Sequence, residues 1–153
     1  MENKPLEVKA ALQISKPVDE VFEAIIDPVK MSNYFISKAS GKIEAGKKIM
    51  WSFPEFDMEF PIRVGKIEKN KYISFYWDMD NIELLVEMTL TSKTNNSTLV
   101  NITEKSRDND ESGIKWLMGN TEGWANFLAC LKAYLEYGIN LRKGGFDYMK
   151  DKL

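Results

Sequence analysis

The residues able to do chemistry are few, and the missing ones narrow the options first. The chain has 153 residues, no His and a single Cys. Without an imidazole the Ser-His-Asp and Cys-His routes to nucleophilic catalysis are closed, and the commonest ligand of zinc and iron is gone. A lone thiol, Cys130, builds neither an internal disulfide nor a thiolate metal site. Helical spacing puts it at the edge of a polar face, with no basic neighbour to favour the thiolate, so it reads as passive. No Gly-rich phosphate loop occurs, and Lys143-Gly144-Gly145 reads as a turn beyond a helix end. The expectation is a protein with no metal site and no cofactor.

Carboxylates and amides remain. Asp57 and Glu59 fall on the face opposite Met58 and Phe60, and Glu83 and Glu87 alternate with apolar neighbours, so all four read as solvated. Glu104 continues the phase of Val100 and Ile102. It is either a solvated strand end or a carboxylate that contacts a ligand. Asn120 falls within an apolar helical arc, where an unpartnered amide would be costly. It either caps a bend at Gly119 or offers its amide to a ligand.

Composition sets the class of molecule around these groups. Hydrophobic residues make up 44% and charged residues 29%, a globular balance. The formal net charge is −2, and no basic run exceeds Lys47-Lys48, which argues against nucleic-acid binding. No apolar stretch approaches the roughly 20 residues that span a bilayer, and the first residues lack a signal-peptide core. A cytoplasmic setting is expected. Four Trp, six Tyr and eight Phe supply enough aromatic surface for either a bulky core or the walls of a pocket.

The elements that must position these side chains follow from periodicity. Leu6 to Ser15 alternates with period two and predicts a half-buried strand. Pro17, with Asp19 and Glu20 behind it, opens a helix whose stripe is Val18, Val21, Phe22, Ile25 and Ile26. Pro28 ends that helix and starts a short one reaching Tyr34. Strand periodicity then runs from about Lys38 to Ser106. It includes a short strand flanked by Gly41 and Gly46, a strand carrying Met58 inward with Phe60, Ile62 and Val64, a bulge at Gly65 and a hairpin turn at Asn95-Asn96. After Arg107 the period returns to 3.6. Trp116, Leu117, Trp124, Phe127, Leu128, Leu131, Tyr134 and Leu135 share one face, and Glu122, Asn126, Ala133 and Tyr137 lie opposite. The helix is expected as one continuous piece near 121–137, with Gly119-Asn120 as the candidate bend near its beginning and a packed tail at 146–148.

The order β-α-α-β6-α predicts an α+β fold of about seven antiparallel strands whose apolar face is covered by the C-terminal helix. Such a curved sheet tends to leave a cavity against its helix. By register Trp51, Phe60, Phe75, Trp77, Trp124 and Phe127 point into it, as pocket walls or as packing, and Asn120 and Glu104 are the polar candidates.

Pro17-Val18-Asp19-Glu20-Val21-Phe22-Glu23-Ala24-Ile25 resembles the opening of the START-related, helix-grip superfamily. Gly123-Trp124 through Leu128, Leu131-Lys132 and Leu135-Glu136 is similar to the final helix of one branch. That branch is the family of the C-terminal domain of the activator of the 90-kDa heat-shock protein ATPase. The resemblance implies one START-like ligand-binding domain over residues 1–153, with a hydrophobic cavity and no cofactor. The functional expectation is a non-catalytic binder of a small apolar, lipid-like molecule. A chaperone-associated regulator acting through its surface is the alternative, and an enzyme of the polyketide-cyclase kind is the third reading.

Overall fold

A computed structural model describes residues 3–152. β1 (Leu6–Ile14) leads to α1 (Val18–Ile26) and α2 (Pro28–Met31). Six strands follow: β2 (Lys38–Ala39), β3 (Lys48–Ser52), β4 (Glu59–Glu68), β5 (Tyr72–Met79), β6 (Ile82–Lys93) and β7 (Ser97–Arg107). α3 (Glu111–Tyr137) and a short 3₁₀ helix (Asp147–Lys152) complete the chain. All strand pairs are antiparallel, and the curved sheet has the order β1-β7-β6-β5-β4-β3-β2. The expected fold class is the one observed.

Local chemistry explains the breaks. Asp27 caps α2 by accepting a hydrogen bond from the Val29 N–H at 2.9 Å, and Pro28 sits in the first turn, where a missing N–H does no harm. Asn95 and Asn96 both adopt positive φ, as a two-residue hairpin turn that follows strand twist requires. Asp80 and Asn81 do the same between β5 and β6. The β4–β5 register shifts between Val64 and Ile67, where the bulge at Gly65 was expected. A Cβ on Gly65 would lie 2.8 Å from Ser74 Oγ, so a larger residue there would push the Ser74 hydroxyl off its bond to the Lys66 carbonyl.

Four sequence expectations are corrected. α2 ends at Met31, short of Tyr34, and residues 32–35 continue as turns, with the Tyr34 and Phe35 N–H groups donating to the Met31 carbonyl. No strand forms between Gly41 and Gly46; the backbone there departs from the sheet, and Ile43 instead donates its N–H to the Ile26 carbonyl. Met58 lies before β4 and is exposed, because β4 begins only at Glu59. α3 starts ten residues earlier than 121 and runs through Gly119-Asn120 as α-helix. Its true start is Asp110, whose carboxylate accepts from the Gly113 N–H at 2.8 Å. At the far end Gly138 takes φ 65°, the left-handed conformation that closes a helix.

The core lies between the concave face of the sheet and the stripe of α3 formed by Trp124, Phe127, Leu128 and Leu131. α1 adds Val21, Phe22 and Ile25 to the same cluster. Leu84, Val86 and Met88 of β6 and Val100 and Ile102 of β7 are fully or almost fully buried beneath. Each such side chain contributes about 1.5–3 kcal/mol by leaving water.

Candidate functional site

β7 carries an inward row of Val100, Ile102 and Glu104, and all three have zero exposure. The strand alternation that buries two aliphatic side chains therefore buries a carboxylate as well. Glu104 is not a solvated strand end. Its Oε2 accepts a hydrogen bond from Trp77 Nε1 of β5 at 2.8 Å. Its Oε1 accepts from Asn120 Nδ2 and Trp124 Nε1 of α3, each at 2.8 Å. All three partners are donors, so both oxygens act purely as acceptors. Glu104 makes no ion pair among the described residues. Three N–H groups replace the water that the carboxylate lost.

This arrangement also answers the question about Asn120. The amide neither caps a bend nor stands free; it is spent on Glu104, with Met79 Sδ 3.4 Å away.

In front of the cluster lies a cleft of about 510 Å³ between the sheet and α3. Phe35, Phe53, Phe56, Phe60, Trp77 and Phe127 form most of its wall. α3 contributes Gly123, Asn126, Phe127 and Cys130, a single stripe at i, i+3, i+4 and i+7. A smaller recess of about 140 Å³ adjoins it and shares Phe35, Trp77, Met79 and Gly123; Gly119, Asn120 and Trp124 complete it. A Cβ on Gly123 would meet nothing within 4 Å.

The predicted wall residues divide by depth. Phe60, Trp77 and Phe127 border the cleft, and Trp124 borders the recess. Trp51 and Phe75 have no exposed surface and border neither; they stand behind Trp77, with ring centroids 6.2 and 5.4 Å from it. Edge-to-face contacts tie the layers together, as with Phe35 against Phe127 at 4.8 Å.

The polar residues of the rim come from segments that periodicity did not single out. The tail after α3 folds back so that Arg142, Phe146 and Met149 close one side of the cleft. Arg142 forms a two-pronged ion pair with Glu55 of the β3–β4 loop, at 2.8 and 3.1 Å. Its guanidinium also lies 4.8 Å from the Phe146 ring centroid and 5.7 Å from that of Phe53. With the sheet on one side and the tail on another, α3 has two covered flanks. That is why Asn126, expected opposite the apolar face, is half-buried, and why Cys130, expected at a polar edge, is buried. Burial pushes the Cys130 thiol pKa up, against the opposing influence of Arg142. Tyr34, also on the wall, donates its hydroxyl to the Ala24 carbonyl at 2.8 Å, and burial raises its pKa well above the usual value.

Sequence reasoning missed Phe35, Phe53, Phe56, Glu55 and Arg142 as site residues, and it expected the tail at 146–148 to pack without assigning it to the cleft. A signal existed in the run from Phe53 to Phe60, where three Phe alternate with acidic residues around Pro54. Among the described residues no group of three or more His, Cys, Asp or Glu gathers to hold a metal ion, and no helix is long and apolar enough to cross a membrane.

A seven-stranded antiparallel sheet closed by one long C-terminal helix defines the helix-grip class of the START-related fold. Residues 15–136 match the family described as Activator of Hsp90 ATPase homolog 1-like protein, and the chain belongs to that family. It is similar to protein SSP2350 from Staphylococcus saprophyticus, with 32% identity, a TM-score of 0.80, and coverage of 90% of this chain and 96% of that one. DynU16, from the dynemicin biosynthetic locus, is 26% identical with a TM-score of 0.77, over 88% of this chain and 48% of that one. The Aha1 dimer of Colwellia psychrerythraea shares the fold at 18% identity and a TM-score of 0.74, over 87% and 98% of the two chains. No curated protein sequence matches the chain.

Proposed function

We propose that the protein holds a small, largely apolar molecule in the cleft between the sheet and α3, without transforming it. The observation that carries this reading is the cleft itself: about 510 Å³, walled by aromatic rings from the sheet, from α3 and from the turn after α2. A void of that size lined by eight aromatic side chains is suited to an apolar guest, and large rings gain more from one than from water. Phe60, Trp77, Phe127 and Trp124 would touch the ligand. Trp51 and Phe75 would support them from behind, and Glu104 and Asn120 would fix the indoles. A cytoplasmic setting, where a lone buried thiol stays reduced, suits this role.

Gly123→Leu tests the reading. The substitution favours the helix by up to about 1 kcal/mol and projects an isobutyl group into space that is open in the wild type. The neutral apolar fluorescent probe N-phenyl-1-naphthylamine should bind the native wild type saturably and the folded variant at least about tenfold more weakly, the effect of some 1.4 kcal/mol of lost contact. Equal binding by both proteins would place the probe elsewhere and sink the proposal.

The family description supports a second reading, a chaperone-associated regulator acting through its surface. Its motivation in this chain is a set of exposed apolar side chains, Ile114 and Met118 on α3 and Met79 and Ile82 at the β5–β6 turn. Met118→Glu should abolish stimulation of a chaperone ATPase if that surface acts, and leave binding of the neutral probe intact.

A further inference from the structure

The charged side chains at or beside the cleft each have an opposite charge within reach, Arg63 being shared by Asp78 and Glu83, with one exception. Asp78 pairs with Arg63 at 3.0 Å, Asp80 with Arg107 at 3.4 Å, and Arg142 with Glu55 at 2.8 Å. Glu104 is the exception: it is fully buried, with only neutral N–H partners. Hydrogen bonds satisfy its lone pairs but do not cancel its charge, and a charge out of contact with water is poorly screened. Its field therefore extends into the adjoining recess, one wall of which is made by the two indoles bonded to it.

Those indoles amplify the effect. Trp77 and Trp124 each direct the positive N–H edge of the ring at the carboxylate, with ring centroids 5.8 Å apart and planes inclined at 36°. A hydrogen bond to an anion polarises the donor, so electron density moves from the N–H edge toward the π faces. Electron-rich faces of Trp are the best aromatic partners for a cation. Phe35 adds a third ring, 6.0 Å from Trp124, and Met79 supplies a polarisable sulfur. Arg142, the basic residue on the cleft wall, is already engaged by Glu55, so an anionic ligand finds no free counter-charge there.

We propose that the recess between Phe35, Trp77 and Trp124 receives a cationic head group, a protonated amine or quaternary ammonium, of a ligand whose apolar body fills the larger cleft. This rests on reading the cleft as a ligand site. The recess, about 140 Å³, has room for a small head group and opens beside the cleft through Gly123. Glu104 sets the preference for positive charge through the indoles, without touching the ligand. It is a positioning residue whose charge matters as well as its geometry.

The test is a charge series on one chain length, using the full-length protein at physiological salt. Decyltrimethylammonium, 1-decanol and decanoate are titrated separately below their aggregation thresholds, and affinity is read by calorimetry. The ammonium should bind about tenfold tighter than the alcohol, and decanoate more weakly than both. Glu104→Gln should bring the ammonium-to-alcohol affinity ratio close to one. Trp77→Phe, which keeps a ring and removes one N–H link to Glu104, should reduce that ratio several-fold. If Glu104→Gln fails to fold, the wild-type series and Trp77→Phe still decide. Equal binding of ammonium and alcohol, or tighter binding of decanoate, overturns the cation site and leaves the apolar cleft standing. Binding of none of the three overturns both readings.

Discussion

Glu104 of β7 and Trp124 of α3 meet through a 2.8 Å hydrogen bond, from the indole Nε1 to Oε1, at the buried seam between sheet and helix. The same oxygen accepts from Asn120, one turn earlier on the helix, and the other accepts from Trp77 two strands away. One carboxylate thus fixes the rotation of α3 and the rotamers of two indoles. Hydrophobic packing alone leaves a helix freer to roll on a sheet, because it has no direction.

Removing this carboxylate should be expensive. Glu104→Ala strands three N–H groups, and each unpaired buried donor costs about 1–3 kcal/mol. Two of the donors belong to half-buried residues and can recover some water, so the expected loss is about 3–4 kcal/mol in urea unfolding. Glu104→Leu should lose a similar amount despite its better volume. A loss below about 1 kcal/mol would mean that the donors find other partners.

Trp124 and Trp51 allow a matched comparison. Both rings are buried, but Trp124 Nε1 has a partner and Trp51 Nε1 has none among the described residues. Replacing either ring with Phe removes similar apolar volume; only Trp124→Phe also leaves an acceptor of Glu104 short of a donor. Trp124→Phe should therefore destabilise by about 1–2 kcal/mol more than Trp51→Phe, a hydrogen bond to a charged group being worth about 1.5–3 kcal/mol. Trp124→Ala should cost about 3–5 kcal/mol, because the ring also packs against Phe75 and Phe127. Equal effects of the two Phe variants would remove the carboxylate from the account.

On the outer face of the sheet, pH dependence has a specific source. Tyr72 donates its hydroxyl to Glu87, which also pairs with Lys105 at 3.3 Å. The Tyr72 bond is the main reason that the Glu87 carboxyl titrates below its ordinary value, with burial opposing and Lys105 assisting. A carboxyl lowered in the folded state stabilises above its unfolded pKa, and that contribution is lost as pH falls through the folded one. Tyr72 is raised from 10.0 to about 12, by burial first and then by Glu87. Its contribution is complete below pH 10 and fades as pH rises toward about 12. Tyr72→Phe should flatten the stability profile at both ends, in the acid carboxylate range and above pH 10. An unchanged acid limb, measured by urea midpoint against pH, would refute the coupling.

The fold was legible because both of its periods are long and clean. Val18 to Ile26 and the stripe from Trp124 to Leu135 repeat at 3.6, while β1 and β6 alternate at two. Glu104 was placed inward by the phase of Val100 and Ile102, yet strand phase says nothing about what waits across the sheet. Its burial depends on Trp77 and Asn120, 27 and 16 residues away. The start of α3 was lost because Glu111 to Lys115 is too polar to show a stripe, and only the Asp110 cap marks it. The Arg142–Glu55 pair spans 87 residues between two loops, where no periodicity exists to read.

That pair yields the last prediction. The segment from Ile139 to Met149 has little secondary structure of its own, and Ile139 and Leu141 are exposed. What holds it across the cleft is the Arg142–Glu55 fork, with Arg142 and Glu55 side chains only 14% and 3% exposed, and the contact of Arg142 with Phe146. Breaking a buried ion pair by removing one partner ordinarily costs about 3–5 kcal/mol, because a charge is left dry. Here the structure has an escape: once Arg142 is gone, the tail can lift and let water reach Glu55. The expected signature of Arg142→Ala is therefore local. Global stability should fall by no more than about 2 kcal/mol, while amide exchange over residues 139–149 accelerates by at least about tenfold, since local opening free energies lie well below the global one. Exchange in Phe127 to Leu131 of α3 should change little. Proteolysis should cut the variant first within this tail, and N-phenyl-1-naphthylamine should associate faster because one wall of the cleft has become mobile. A large global loss with unchanged tail exchange would show instead that Glu55 stays buried without its partner, and that the tail is held by its apolar contacts.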